Sequence, residues 1–157
     1  MIWLISLYAY SVAPSRVPTH FGMNGKPDSY GSKTTFLLIA PILSIAPIIF
    51  ILIWKYRFSL IEKHPYLINL PAFFSIILNL GEEEKQKYIE KYFDYLLLLG
   101  IAITFAMLVL DAGICFAGIK GFAPPYFITI SLLLIFIPTI IFIIYLRKMA
   151  YEVKTVK

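Results

Sequence analysis

The sequence predicts an all-α membrane protein: a polytopic helical bundle of about four transmembrane helices with an added cytoplasmic or interfacial helical segment. Three observations carry that prediction. Of the 157 residues, 60% are apolar, and the mean hydropathy is +0.82. Soluble domains run about 45–50% apolar, so lipid is the solvent that suits this chain. Long stretches are uncharged, and Lys and Arg residues stand at their ends. The net charge of +5 therefore reads as topology, because basic residues collect on the cytoplasmic side of membrane helices. No basic helix is interleaved with aromatics, so nucleic acid is not an expected partner. One cysteine, Cys115, excludes an internal disulfide.

Residues 1–13 are apolar and uncharged. As a helix they reach about 20 Å, short of the roughly 30 Å hydrocarbon core. They read as a short or truncated first span, since a signal peptide would carry a basic n-region. Pro14 and Pro18 end the run. Residues 14–33 are expected to form an extracytoplasmic loop without regular structure. They are rich in Pro, Gly, Asn and Ser, and Asn24-Gly25 and Pro27-Asp28 are turn signals. A long loop of this kind is often functional.

The second span is placed at 34–56, where no charge appears until Lys55. Pro41 and Pro47 lie inside it, as membrane helices tolerate, and predict a kink. Residues 57–94 read as a cytoplasmic or interfacial segment. Within it, residues 67–80 are uncharged but too short to span, which fits an interfacial or re-entrant piece. Glu82, Glu83 and Glu84 complement a helix N-terminus, and Glu83 to Lys87 is a favourable i,i+4 spacing. That helix is expected to run on into a third span at 95–119. The fourth span, 122–146, opens at Pro124-Pro125 and is interrupted by Pro138. A basic cytoplasmic tail, 147–157, follows.

Counting charges orients the chain. With the N-terminus inside, Arg16, Lys26, Lys33 and Lys120 fall outside. Lys55, Arg57, Lys63, Lys85, Lys87, Lys91, Arg147, Lys148, Lys154 and Lys157 fall inside. Ten against four places both termini in the cytoplasm.

The loop carries the most specific pattern. Pro14 and Pro18-Thr19-His20-Phe21 are followed by Gly25-Lys26-Pro27-Asp28 and by Lys33 at the start of the next helix. This resembles the DUF1648 membrane family, found at the N-terminus of SdpI-type immunity proteins of Gram-positive bacteria and in other bacterial and archaeal membrane proteins. The resemblance covers about residues 5–50. Ile68-Asn69-Leu70-Pro71 resembles the cytoplasmic segment of stand-alone members. The resemblance implies a multi-pass membrane protein with no established reaction. In SdpI-type proteins the role is protection against a secreted peptide toxin, with signalling through a sequestered repressor. The signature of their second membrane region, an Asn and Gly followed by an Arg-Thr pair and a Trp, is not found in this sequence.

Read physically, the two prolines stiffen the loop's entry, and Gly22 and Gly25 permit positive φ. His20 and Asp28 are the groups of the loop able to accept a proton near neutral pH, and they are placed to hydrogen-bond each other. A zinc site usually takes three protein ligands. The chain has two histidines, and His64 falls on the opposite side of the membrane from His20, so no metal is expected. Asp111 is the acidic residue well inside a span, where a carboxylate costs about 2.5–3.5 kcal/mol on insertion scales and often marks a pathway or relay. It lies toward the outer face, and the expectation is one polar cluster of His20, Asp28 and Asp111. Ala102/Ala106 and Gly113/Ala117 have small-residue spacing that suits helix packing within the chain.

No Ser-His-Asp set, HExxH motif, phosphate loop or carboxylate pair appears, so neither an enzyme nor a cofactor is expected. The expected function is binding or sensing of a peptide, lipid or membrane partner. The residues expected to carry it are His20, Phe21, Asn24, Gly25, Asp28 and Asp111. The alternative is a small transporter or accessory subunit using Asp111.

Overall fold

A computed structural model of the chain describes residues 1–22, 24–64, 77 and 80–155. The elements run α1 (Ile2–Val12), β1 (Arg16–Phe21), β2 (Pro27–Ser32), α2 (Thr35–Lys55), α3 (Arg57–Lys63), α4 (Glu82–Lys120) and α5 (Phe127–Thr155). The fold is helical apart from one hairpin. Three helices, Thr35–Lys55, Glu82–Lys120 and Phe127–Val153, are long and apolar enough to cross a membrane; α1 is apolar but shorter. This is a membrane protein. Its long helices turn large apolar side chains outward, Ile42, Ile101 and Ile128 among them. Soluble proteins rarely expose apolar surface on that scale.

Residues 14–33 depart from the unstructured loop that their composition suggests. β1 and β2 pair antiparallel, with Arg16 opposite Ser32, Val17 opposite Gly31 and Phe21 opposite Pro27; the register slips around His20. Asn-Gly is a strong hairpin turn signal, and it overrides two strands poor in β-formers. Pro18 and Pro27 are accommodated because both strands are edges.

Each helix boundary has a local cause. At the start of α2, Thr35 Oγ1 donates to Ser32 O at 2.8 Å, and Thr34 N–H donates to Ser32 Oγ at 3.3 Å. Pro41 and Pro47 sit within one continuous helix. At its end the Arg57 guanidinium donates to Trp54 O at 2.9 Å and lies over the Trp54 and Phe58 rings. α4 is a single helix of 39 residues, about 58 Å long at 1.5 Å per residue. That exceeds the hydrocarbon thickness, so its charged N-terminal turns extend beyond the apolar stretch. Its first ion pair joins Lys85 to Glu82 at 3.3 Å, in place of the Glu83–Lys87 spacing. Pro124 and Pro125 hold residues 123 and 124 out of helical geometry, and α5 begins at Phe127, whose N–H donates to Pro124 O at 2.9 Å. It continues past residue 146 to Thr155, so most of the expected tail is helical. Of the expected interfacial piece at 67–80, only Ile77 and Leu80 are among the described residues.

The chain divides into two compact units, 1–47 with 102–136, and 48–101 with 137–157. In the first, α1 buries Ile2, Ser6 and Ala9, one face at helical spacing. Ile2 meets Ala40 and Leu43 of α2, while Ala9, Ala13, Val17, Phe36 and Cys115 form a second cluster. Small residues seat aromatic rings here: a Cβ on Gly118 would meet the Phe36 ring at 2.6 Å, and one on Gly113 would meet the Phe127 ring at 1.9 Å. Gly113 thus packs within the chain. In the second unit, Tyr88, Ile89, Tyr92 and Phe93 of α4 close over Met149 and Val153 of α5, with Ile77 beside them. Lys91 Nζ bonds Glu152 Oε2 at 2.6 Å.

Replacing Gly113 with Ala tests the aromatic seat. Glycine ordinarily costs a helix about 0.5–1 kcal/mol relative to alanine, but overpacking costs about 1–3 kcal/mol. Gly113→Ala is expected to lower the melting temperature in detergent micelles, and a Phe127→Leu background should erase most of that loss. An unchanged or raised melting temperature for the single variant would count against this contact.

Candidate functional site

The hairpin is fixed at both ends. At its base, Lys33 N–H donates to Ser15 O at 3.2 Å, and the Lys33 ammonium lies 4.7 Å from the centre of the Tyr10 ring. At its tip, Gly22 N–H donates to Lys26 O at 2.8 Å and Gly25 N–H donates to Gly22 O at 2.9 Å. Asn24 Oδ1 accepts from Lys26 N–H at 3.0 Å, the asparagine turn that its short amide favours. Gly25 takes φ +74°, and its carbonyl accepts from Ala123 N–H at 3.1 Å. A Cβ there would meet Ala123 O at 2.2 Å and the Phe122 ring at 2.9 Å. Only glycine combines that backbone conformation with that approach. The turn is therefore docked on the connection between α4 and α5.

Between these anchors the hairpin presents polar side chains. His20 Nδ1 and Asp28 Oδ1 lie 2.5 Å apart across the strands, with the side chains 70% and 53% exposed. Thr19 Oγ1 and Ser29 Oγ stand alongside at 3.4 Å. Phe21 is half-buried and Asn24 exposed. The site thus offers an acid–base pair with adjacent hydroxyls, held on a short hairpin anchored at base and tip.

Asp111 lies elsewhere in the same unit. It is fully buried, and Ser6 of α1 donates to its Oδ1 at 2.9 Å; Cys115 Sγ is 3.9 Å from the same oxygen. Its Oδ2 has no hydrogen-bond partner among the described residues. The structure therefore brings His20 and Asp28 together, with Asn24 and Gly25 in the adjoining turn. No hydrogen bond or ion pair among the described residues links Asp111 to them, so the single expected cluster is two separate sites. Ser6 of α1, rather than the hairpin, lies opposite the carboxyl. Among the described residues no group of three His, Cys, Asp or Glu side chains is placed to hold a metal ion.

Ser6 and the Phe122–Ala123 docking point were not apparent as site residues. Ser6 shares the spacing of Ile2 and Ala9, a polar group on an otherwise apolar face. That was its only signal.

Residues 1–45 match the family model described as a domain of unknown function, DUF1648. An uncharacterized protein of Archaeoglobus fulgidus is 38% identical over 152 residues, covering 97% of this chain and 83% of its own. The chain belongs to the DUF1648 family. No solved structure matches it. The part of this DUF1648 protein that matches the family model holds α1, the hairpin and the first half of α2. His20, Asp28, Gly25 and Ser6 all fall within it; Asp111 lies beyond it.

Two substitutions probe the geometry. Gly25→Ala should undock the turn, costing about 1–2 kcal/mol for an alanine forced to positive φ, and should raise the rate of proteolytic cleavage within residues 22–26. An unchanged cleavage rate would show that the turn does not depend on this contact. For the buried pair, a double-mutant cycle of Ser6→Ala with Asp111→Ala in detergent should give a coupling of about 0.6 kcal/mol and no more than about 1.7, the range of hydrogen bonds between membrane helices. Strict additivity would show that the two side chains do not interact.

Proposed function

We propose that this DUF1648 protein sits in the cell membrane with both termini in the cytoplasm and binds a peptide, lipid or membrane partner through its extracytoplasmic hairpin. It is a recognition or sensing protein and not an enzyme. The observation that carries this reading is the exposed His20–Asp28 pair on a hairpin anchored at base and tip. The pair supplies a donor and a charge to a ligand, and the fixed turn removes much of the ordering cost of binding. The orientation rests on the excess of basic residues in the segments assigned to the cytoplasm.

A second reading rests on Asp111. A buried carboxyl with one oxygen unpartnered among the described residues is a candidate relay in a small transporter or accessory subunit. Proton- or ion-coupled flux in proteoliposomes, abolished by Asp111→Asn, would favour it over recognition by the hairpin.

The main reading is tested with a cysteine placed at Ser29. A membrane-impermeant maleimide should label it in intact cells, while the native Cys115 is buried and silent. A maleimide-linked photo-crosslinker at that position should capture a discrete peptide or protein, or one lipid species enriched over the bulk membrane. The yield should fall at least several-fold in His20→Ala and Asp28→Ala. Labelling only after permeabilisation would reverse the topology, and recovery of bulk lipid in unchanged yield would overturn recognition by the hairpin.

A further inference from the structure

The strand β2 is paired along one edge only. Its sheet has two strands, so the backbone groups of β2 that face away from β1 form an open edge. Among the described residues, 28–31 share no backbone hydrogen bond with any segment but β1. Asp28, Ser29 and Tyr30 are exposed in succession. Successive strand residues point to opposite faces, so both faces of β2 are open at its middle. An edge of this kind accepts a further extended chain.

The charges around that edge are mostly of one sign. Lys26 directly precedes β2 and Lys33 directly follows it. Arg16 pairs with Ser32, the neighbour of Lys33. The whole compact unit, residues 1–47 and 102–136, holds Arg16, Lys26, Lys33 and Lys120 against Asp28 and Asp111. Asp111 is fully buried with Ser6, and Asp28 is bonded to His20. None of the four cations is in an ion pair among the described residues. Four cations less two carboxylates leave a surplus of two positive charges, even with both aspartates ionised. A second copy of the chain does not suit this edge. Antiparallel self-pairing of β2 about its middle would set Lys26 of one chain against Lys33 of the other, and like charges directly opposite are destabilising. A lipid headgroup would meet the cations but has no peptide groups for the strand edge.

We propose that β2 takes an extended acidic peptide segment as a third strand, with carboxylates near its two ends against Lys26 and Lys33. β2 has six residues, a length of about 20 Å, so the segment it pairs with has roughly six to eight residues. Main-chain hydrogen bonds hold the segment, and the flanking charges select it. The proposal rests on the hairpin as the recognition element and adds the chemical class of its partner.

The test titrates the full chain, in neutral detergent at low ionic strength, with a blocked octapeptide of alternating Glu and Val, and follows binding by calorimetry. The same peptide with Lys in place of Glu should bind at least about tenfold more weakly. The Glu peptide methylated at every amide nitrogen keeps its carboxylates but loses its strand donors, and should bind at least several-fold more weakly. Each exposed ion pair contributes up to about five-fold, so Lys26→Gln/Lys33→Gln should weaken the acidic peptide by about two-fold to 25-fold, and added salt should also weaken it. Size-exclusion elution checks the fold of that variant, and the comparison of peptides on the native chain does not depend on it. Lys148→Gln, an exposed site in the other unit, should leave binding unchanged. Absence of binding by the acidic peptide, equal affinity for the basic one, undiminished binding of the methylated one or an equal loss in Lys148→Gln would overturn strand addition. So would displacement of the peptide by phosphatidylglycerol but not by phosphatidylcholine, which would assign the cations to lipid. If the acidic peptide fails while a photo-crosslinker at Ser29 still captures a discrete species, the hairpin stands as the recognition element and only its acidic strand partner falls; if both fail, both readings fall.

Discussion

Hydrocarbon offers no partner to a peptide N–H or C=O, and that constraint decides where this chain leaves the helix. From Thr35 to Lys55, and through the apolar lengths of α4 and α5, the backbone is continuously helical, so its amides bond along the helix or, at its first turn, to the residues just before it. Backbone outside the helices falls at their ends, at residues 1, 13–34, 56, 64, 80–81 and 121–126 among the described positions. The hairpin is the same constraint met differently. Its two strands pair with each other, and its tip donates and accepts with Lys26, Gly22 and Ala123.

The helices must also hold together without a hydrophobic driving force, because lipid tails are as apolar as leucine. What remains is close packing and a few buried polar bonds. Gly113 under Phe127 and Gly118 under Phe36 supply the first; Ser6 with Asp111 supplies the second. The polar bond matters most for α1. At 11 residues it is shorter than the hydrocarbon core is thick, so its place depends on what it buries. Ser6 lies between Ile2 and Ala9 on that buried face, and without a partner its hydroxyl would oppose the packing.

Much of the helical framework was legible from charge alone. The uncharged run before Lys55 gave α2 within a residue or two. The acidic first turn at Glu82, followed by no proline until Pro124, gave the continuous α4. The hairpin was half legible: Asn24-Gly25 announced the turn, but Pro18, Asp28 and Gly31 are poor strand residues, and local propensity argued against the pairing that tertiary docking enforces. The end of α5 was hidden for a different reason. Arg147 and Lys148 look like the close of a span, yet the helix continues because Met149 and Val153 bury against Tyr88 and Tyr92. The Ser6–Asp111 bond joins residues 105 apart, and no periodicity reports a contact at that distance.

The His20–Asp28 pair is the feature whose placement stability explains least. Exposed ion pairs contribute about 0–1 kcal/mol and are screened by salt. The hairpin is already held at Ser15 and Lys33, at Gly22 and Lys26, and at Gly25 and Ala123. A side-chain pair added in the middle of a hairpin so anchored changes its folding little. It does change what the surface offers: a carboxylate that can accept, an imidazole ring beside it, and two hydroxyls alongside. The anchors and the pair therefore divide the work. Gly25 must be glycine for the turn to dock, whereas His20 and Asp28 could be exchanged for other polar residues at small cost to the fold. Their exchange would alter the surface and leave the anchored turn in place.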